Sequence, residues 1–356
     1  MPNKDIEHYY LHEFQAIRAE PQYTRVQFPT PWPSSEDLAC LVQKASSQFV
    51  YATTAVRSIQ LTGSNPVTQL RRILEYTPEN ASPESSSFSA LDELYHMILS
   101  LTPNHERLLS ILAAALIIPP HASPSPNFIE LLLDLPPGEV DLTLRSMHSV
   151  LKIGDGDTPI GVYHTSFIDF LYDPSRSQQF HISRVTRHDA LACQWLRALT
   201  HQVQADPSIV LKGDPLLLAP NLRRLLEAWA HFCFQDNQPT KEVVEERDNF
   251  LQSVLSTFPD QQKLLTVLMQ SILLPTEESQ ILHELGVLPG DPSTMNLLRA
   301  CQLATSYSHG LKMKPFFVDF LFNPSQQYYI DLQKHQDYVA RLWIQALVPK
   351  NLPVSR

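Results

Sequence analysis

The nine residues Phe167-Ile168-Asp169-Phe170-Leu171-Tyr172-Asp173-Pro174-Ser175 return as Phe317-Val318-Asp319-Phe320-Leu321-Phe322-Asn323-Pro324-Ser325, and this echo constrains the fold more than any other feature of the chain. It does not stand alone. Arg107-Leu108-Leu109-Ser110-Ile111-Leu112 is matched by Lys263-Leu264-Leu265-Thr266-Val267-Leu268, Ile117-Ile118-Pro119 by Leu273-Leu274-Pro275, and Pro137-Gly138-Glu139 by Pro289-Gly290-Asp291, while Trp195 finds Trp343. The offset shrinks along the series from 156 to 152, 150 and 148 residues, as small loop deletions would make it. Chance likeness between amphipathic helices would not keep Pro, Gly, Asp and Trp landmarks in order. Residues 94–199 and 250–347 are therefore read as two copies of one module, a tandem and not a solenoid.

The content of a copy follows from local pattern. Ala90 to Ser100 and Glu106 to Ile118 have helical apolar spacing and are split by Pro103; Phe128 to Leu133 and Glu139 to Val150 form another pair, split by Pro136-Pro137-Gly138. Val150 to Ile153 and Ile160 to Tyr163 flank Gly154-Asp155-Gly156-Asp157-Thr158-Pro159, a composition suited to a tight hairpin. Ser166, with Asp169 three residues on, is placed to cap the next helix, whose stripe is Phe167, Phe170 and Leu171 and which Pro174 ends. Helices followed by one hairpin and a closing helix describe a winged-helix unit. In the second copy Ser308-His309-Gly310 predicts a smaller hairpin.

Ahead of the first copy, Asp5 to Ile17 predicts an amphipathic helix through Ile6, Tyr9, Tyr10, Phe14 and Ile17. Ser34 and Asp37 predict a capping box before helical residues Leu38 to Ile59, and Pro66 to Leu74 predicts a further helix. Glu75 to Ser89, rich in Ser, Pro and Glu, reads as a flexible surface loop. The fold class is thus mainly α, with tandem winged-helix-like modules, small β-hairpins and a helical N-terminal region. The divisions are 1–90 (helical), 91–200 (module 1), 201–248 (helical connector, strongest over Leu222 to Phe234) and 249–356 (degenerate module 2).

Charge and motif content narrow the function. The net charge of −10, with no dense Lys/Arg block, argues against a nucleic-acid or anionic-membrane surface. Cys40, Cys193, Cys233 and Cys301 lie far apart without a CxxC pair and read as reduced thiols of an intracellular protein. Met1 to Tyr10 has no secretory apolar region, and the longest apolar run, Ile111 to Ile118, stops at Pro119-Pro120, short of a bilayer span. The expectation is a soluble, cytoplasmic chain with no membrane partner.

None of the nine glycines precedes a Lys-Ser/Thr pair, so the backbone cradle of a P-loop is missing; no GxSxG or HExxH occurs, and His283-Glu284 lacks the second His. Leu131-Leu132-Leu133-Asp134 has the look of a Mg²⁺-binding strand end, but Pro136-Pro137 follows and a short core helix explains it better. Asp155 and Asp157 could open a Ca²⁺ loop, yet position twelve falls on Ser166, so a hairpin turn is favoured. The expectation is a chain that is not an enzyme and has no catalytic residues and no metal site.

Three stretches resemble a known family. Ser47-Gln48-Phe49-Val50-Tyr51-Ala52-Thr53-Thr54-Ala55-Val56, with Asn65-Pro66 and Leu91-Asp92-Glu93-Leu94-Tyr95 downstream, resembles the helical region that closes the NACHT domain of large fungal NACHT proteins. Leu135 to Val140 through His148 to Leu151 looks like the start of their winged helix, and Tyr163-His164-Thr165-Ser166-Phe167-Ile168-Asp169-Phe170-Leu171, with Asp173 to Ser177, like its end. The likeness covers residues 5–200. It implies a signal-transduction NTPase of the STAND class, in which a nucleotide-dependent switch couples a sensor to an effector.

In that family the winged helix ends in His-x-Ser-Phe, and the His faces the β-phosphate of bound ADP. The matching residue here is His164, the one nucleotide-sensing candidate. In this chain alone its ring has the alternative of bonding a local backbone carbonyl. The second copy has Lys314-Pro315 at this place and so has lost the motif.

What the resemblance implies is a non-catalytic regulatory and interaction part of a NACHT-type NTPase: a fragment, a domain or a degenerate paralogue. Its partners would be proteins or the rest of a larger NACHT protein. It would hold no cofactor, ADP or ATP being bound only with the nucleotide-binding core supplied ahead of residue 1. The alternative is a winged-helix nucleic-acid binder, against which stand the net charge and the sparseness of Arg184, Arg187, Arg223 and Arg224.

Overall fold

A computed structural model describes residues 2–61, 63–76, 89–206, 220–234, 239–257, 304–307 and 310–313, and positions 317, 320, 321 and 323. The described part is mainly helical, with two antiparallel two-stranded sheets. Two compact units divide the chain, Met1–Glu130 with Leu135–His188, and Asp189–Arg356 with Leu131–Asp134.

The first unit opens on α1 (Pro2–Ala19), whose Ile6, Tyr10, Phe14 and Ile17 are fully or almost fully buried. That i, i+4, i+8 stripe is what an amphipathic helix needs, each buried ring or branched chain contributing roughly 1.5–3 kcal/mol. Phe14 meets the edge of Trp32 at 5.0 Å, which closes the Pro-rich link against α1. The capping box forms as expected: Ser34 Oγ accepts from the Asp37 amide, and the Asp37 carboxylate accepts from the Ser34 amide. It starts α2 (Ser35–Ala45).

Leu38 to Ile59 is not one helix. Ser46 and Ser47 take positive φ of 47° and 66°, and α2 stops before α3 (Phe49–Ile59) begins. Left-handed backbone ends a helix whatever the apolar spacing around it. Then come α4 (Pro66–Glu75), capped by Asn65, and α5 (Ser89–Ser100). Most of the expected loop Glu75 to Ser89 lies outside the described residues.

Next are α6 (His105–Ile117), α7 (Pro126–Leu133) and α8 (Glu139–Thr143). Leu131 to Leu133 is helical as expected, and α7 ends where Asp134 turns to φ 52°. The stretch from Glu139 to Val150 is shorter in α-helix than its pattern suggests, changing to a 3-10 turn over Arg145–Ser149. Gly138, at φ +84°, swings the chain so that the buried Glu130 carboxylate accepts from the Val140 amide at the start of α8. A residue with a Cβ is strained at that φ.

The hairpin is present but not tight. β1 (Leu151–Lys152) pairs with β2 (Gly161–Val162) in the register Leu151↔Val162, with the loop 153–160 between them. That loop is held from below: the Asn127 amide donates to Gly156 O, and the Ile160 amide donates to Pro124 O. Asp155 folds back on the Thr158 amide and hydroxyl, which holds its carboxyl below the usual range; the turn assignment, not a Ca²⁺ loop, fits this use of its oxygens. After β2 come α9 (Thr165–Tyr172) and α10 (Pro174–Ser177). Pro174 does end α9, and it also opens α10, the position where a missing N–H costs nothing.

The second unit contains most of α11 (Arg184–Ala205), with the helices Pro220–Phe234 and Lys241–Ser256. The Trp195 indole donates to Leu225 O and stacks on Phe232, and Trp229 meets Phe250 edge-on at 5.0 Å. Cys193 and Cys233 are buried in this unit and Cys40 is half-buried in the first; burial pushes the Cys193 thiol up to about 11. Cys301 lies outside the described residues, as do the helices expected between 258 and 303, Lys314 and Trp343.

A hairpin does stand at 304–313. β3 (Ala304–Tyr307) pairs with β4 (Gly310–Met313), with Tyr307 opposite Gly310. Its connection is shorter than in the first hairpin and its ladder longer. Phe317, Phe320 and Leu321 are helical and buried. No described helix is long and apolar enough to cross a membrane.

Candidate functional site

The three family-like stretches, far apart in sequence, meet around the start of α9. β2 delivers the chain to Tyr163 and His164, and His164, not Ser166, is the residue that caps α9. Its backbone is extended (φ −146°, ψ 136°), and its Nδ1 accepts from the Ser166 amide at 3.1 Å. An imidazole nitrogen with a lone pair can fill the role that Ser or Asp oxygen fills at most helix starts. Ser166 is the second residue of the helix, and its hydroxyl lies between His164 and Tyr95.

The cap decides the state of the ring. A backbone N–H can only donate, so Nδ1 is an acceptor and the neutral imidazole carries its proton on Nε2. Ser166 Oγ lies 2.7 Å from the same Nδ1 and 2.8 Å from Tyr95 Oη. With Nδ1 unprotonated, the Ser166 hydroxyl and amide share its one lone pair in a bifurcated bond, and the Tyr95 hydroxyl donates to Ser166 Oγ. Burial pushes the Tyr95 phenol up to about 12, so it keeps its proton and stays a donor at neutral pH. The His164 ring is exposed, leaving Nε2–H toward solvent. Sequence reasoning allowed the ring a local backbone carbonyl as partner; the partner is a backbone amide instead.

Tyr95 also anchors the apolar side of the helix, 5.1 Å from Phe167 and 5.3 Å from Phe170. From the same helix α5, Asp92 receives two hydrogen bonds from Arg176, at 2.9 Å to Nε and 2.6 Å to Nη2. The Asp92 hydrogen bonds raise the pKa of the guanidinium further. His96 Nε2 sits 2.8 Å from Arg176 O and its ring packs edge-on to Phe170. Asp173 caps α10 through the Ser175 and Arg176 amides and also accepts from the Ser175 hydroxyl, which together hold its carboxyl below the usual range. Three residues of α5, therefore, fix the position of α9 and α10 and, through them, of His164.

Beside the cap, Tyr163 is 39% exposed, with the Arg57 guanidinium 3.9 Å from its ring centroid and Lys152 Nζ at 5.3 Å. Asp92, Tyr95 and Arg176 lie in the family-like stretches, but their pairing has no signature in the sequence. Arg57 carries no motif signal in the sequence. Arg184 and Arg187 are engaged locally, Arg184 over the Tyr172 ring and Arg187 with Glu106. Among the described residues, no three or more His, Cys, Asp or Glu side chains gather as a metal cluster would. No family model, curated protein or solved structure matches this chain.

Proposed function

We propose that this chain is the non-catalytic regulatory and interaction part of a NACHT-type signal-transduction NTPase. In this reading residues 1–90 are the end of the NACHT region, 91–200 a winged-helix module, 201–248 a connector and 249–356 a degenerate copy of the module. The chain works with protein partners or the rest of a larger NACHT protein, in the cytoplasm. It binds ADP or ATP only when a phosphate-cradling core is supplied.

The observation that carries the reading is the state of His164. An exposed imidazole whose Nδ1 is tied into a helix cap offers a single fixed donor, Nε2–H, and a phosphate oxygen is the acceptor that such a donor suits. Tyr95 and Ser166 keep that orientation without touching the outer nitrogen. The duplication draws support from the hairpin at 304–313, followed by buried, helical Phe317, Phe320 and Leu321.

The test joins this chain to a nucleotide-binding core that carries Gly-x4-Gly-Lys-Ser/Thr. His164→Ala should weaken ADP retention by about tenfold or more, the worth of one charge-assisted hydrogen bond at roughly 1.5–3 kcal/mol. His164→Asn, which keeps the cap but not an outward ring N–H, should weaken it equally. Unchanged ADP retention in both variants would remove the sensor role. For the present chain alone, calorimetry should find no micromolar binding of ADP or ATP.

A further inference from the structure

Several arginines in the described residues are matched to carboxylates: Arg107 to Glu139, Arg176 to Asp92, Arg187 to Glu106, Arg197 to Glu242 and Glu246. Arg57, Arg145 and Lys152 are not, and none of them has an ion-pair partner among the described residues. They are not scattered. Arg57, Arg145, His148 and Tyr163 line one cleft of about 670 Å³ on the first unit, with Lys152 near the Tyr163 ring. A second cleft of about 340 Å³ adjoins it, sharing Leu61, Gly63 and Arg145 and adding Arg72 and Leu142.

The two clefts join at Leu61, Gly63 and Arg145 into one groove, with Arg57 and Tyr163 in the first part and Arg72 and Leu142 in the second. Each end carries a large exposed apolar side chain, Tyr163 at 39% and Leu142 at 61%. A chain of net charge −10 that collects unpaired cations in one groove has a surface complementary to an anion.

We propose that this groove binds an extended acidic peptide segment of a protein partner. The guanidinium forks of Arg57 and Arg145 present paired donors of the geometry a carboxylate accepts. Tyr163 and Leu142 offer apolar contacts at the two ends, and Tyr and Arg are the residue types that anchor such interfaces. A nucleic acid suits the groove less well, because its phosphates would extend beyond three arginines along a chain whose net charge is −10. The inference rests on side chains of the first unit alone and stands apart from the NACHT-type reading.

Fluorescence anisotropy on the full chain tests it, using a labelled peptide of about twelve residues with alternating Glu, a Phe at one end and a Leu at the other. The expected result is binding that weakens roughly tenfold when salt is raised from about 0.05 to 0.3 M. Arg145→Glu should lower affinity about tenfold, Arg57→Gln by a similar factor and Leu142→Ser a few-fold. The same peptide with Lys for Glu should not bind. Arg145 and Leu142 are exposed, so their variants fold as the parent does, which circular dichroism verifies; they decide the matter even if Arg57→Gln unfolds. No binding of the acidic peptide, equal affinity for the Arg145→Glu variant, or equal binding of the Lys peptide would each overturn the proposal. So would a duplex oligonucleotide that binds more tightly and loses affinity with the same substitutions.

Discussion

The two hairpin-and-helix regions, 151–177 and 304–323, share an apolar skeleton among their described residues and differ in the length of their ladders. In the first, Phe167, Phe170 and Leu171 are buried and the Asp173 amide donates to Phe170 O at 3.2 Å. In the second, Phe317, Phe320 and Leu321 are buried and the Asn323 amide donates to Phe320 O at 3.2 Å. The ladders differ, two-residue strands with a long loop in the first against four-residue strands with a short connection in the second. The first region also has an imidazole cap, a hydroxyl relay to Tyr95 and an Arg176–Asp92 fork. Apolar spacing is enough to make a helix bury one face. Polar groups around that face are under no such constraint, and at the aligned cap position the first region has Asp173 where the second has Asn323.

The shared skeleton is the part to break first. Phe170→Ala and Phe320→Ala should each cost about 3–5 kcal/mol, and each should lower the unfolding transition of its own unit. Urea unfolding followed by Trp fluorescence measures both. If Phe320→Ala cost less than about 1 kcal/mol, the second region would not be an equivalent core.

The next effect belongs to the first region alone. Arg176→Ala removes both hydrogen bonds to the half-buried Asp92 and should destabilise by about 2–3 kcal/mol. Arg176→Lys should recover little of it, since an ammonium cannot make the same planar pair of bonds. Full recovery by Lys in denaturant titrations would mean that charge alone, not the fork, holds α10 to α5.

A smaller loss attends the cap. His164→Ala should cost about 1 kcal/mol, and His164→Asn should restore most of that, since Asn is among the best helix-starting residues. Thermal melts of the three proteins separate a capping role from general packing, and equal melts for Ala and Asn would remove the capping role.

The smallest effect contrasts Asp173 with Asn323. Hydrogen bonds from Ser175 and Arg176 hold the Asp173 carboxyl below its ordinary range, so its contribution is complete above the ordinary Asp pKa and is lost as pH falls through the lower, folded value. Asp173→Asn keeps the cap and cannot titrate. The melting temperature of that variant should therefore fall less than the parent's between about pH 5 and pH 3. Identical acid profiles would place the sensitivity elsewhere, Asp155 being the first candidate.

Helix-forming stretches were legible in the sequence wherever a cap and an apolar stripe agreed, as at Ser34 and Asp37 or along Ile6, Tyr10, Phe14 and Ile17. Boundaries failed where backbone conformation overrode pattern. Ser46 and Ser47 break a stretch that reads as continuous, because a positive φ leaves no trace in hydrophobic spacing. At α9 the pattern pointed to Ser166 as the cap, since Ser is the commoner choice; the hydroxyl went to Tyr95, leaving the role to His164.

By itself, then, the sequence determined the mainly helical class, the hairpin at 150–163, the buried face of α9 and the place of His164 beside it, all of which depend on residues within a turn or two of one another. Only the tertiary structure decided that Tyr95 meets the Ser166 hydroxyl beside His164, that Asp92 grips Arg176 84 residues away, and that Arg57 and Arg145 share a groove. The physical reason is range. Propensity, capping and apolar periodicity act between near neighbours, whereas a hydrogen-bond relay or a cluster of unpaired charges exists only once distant segments have packed together.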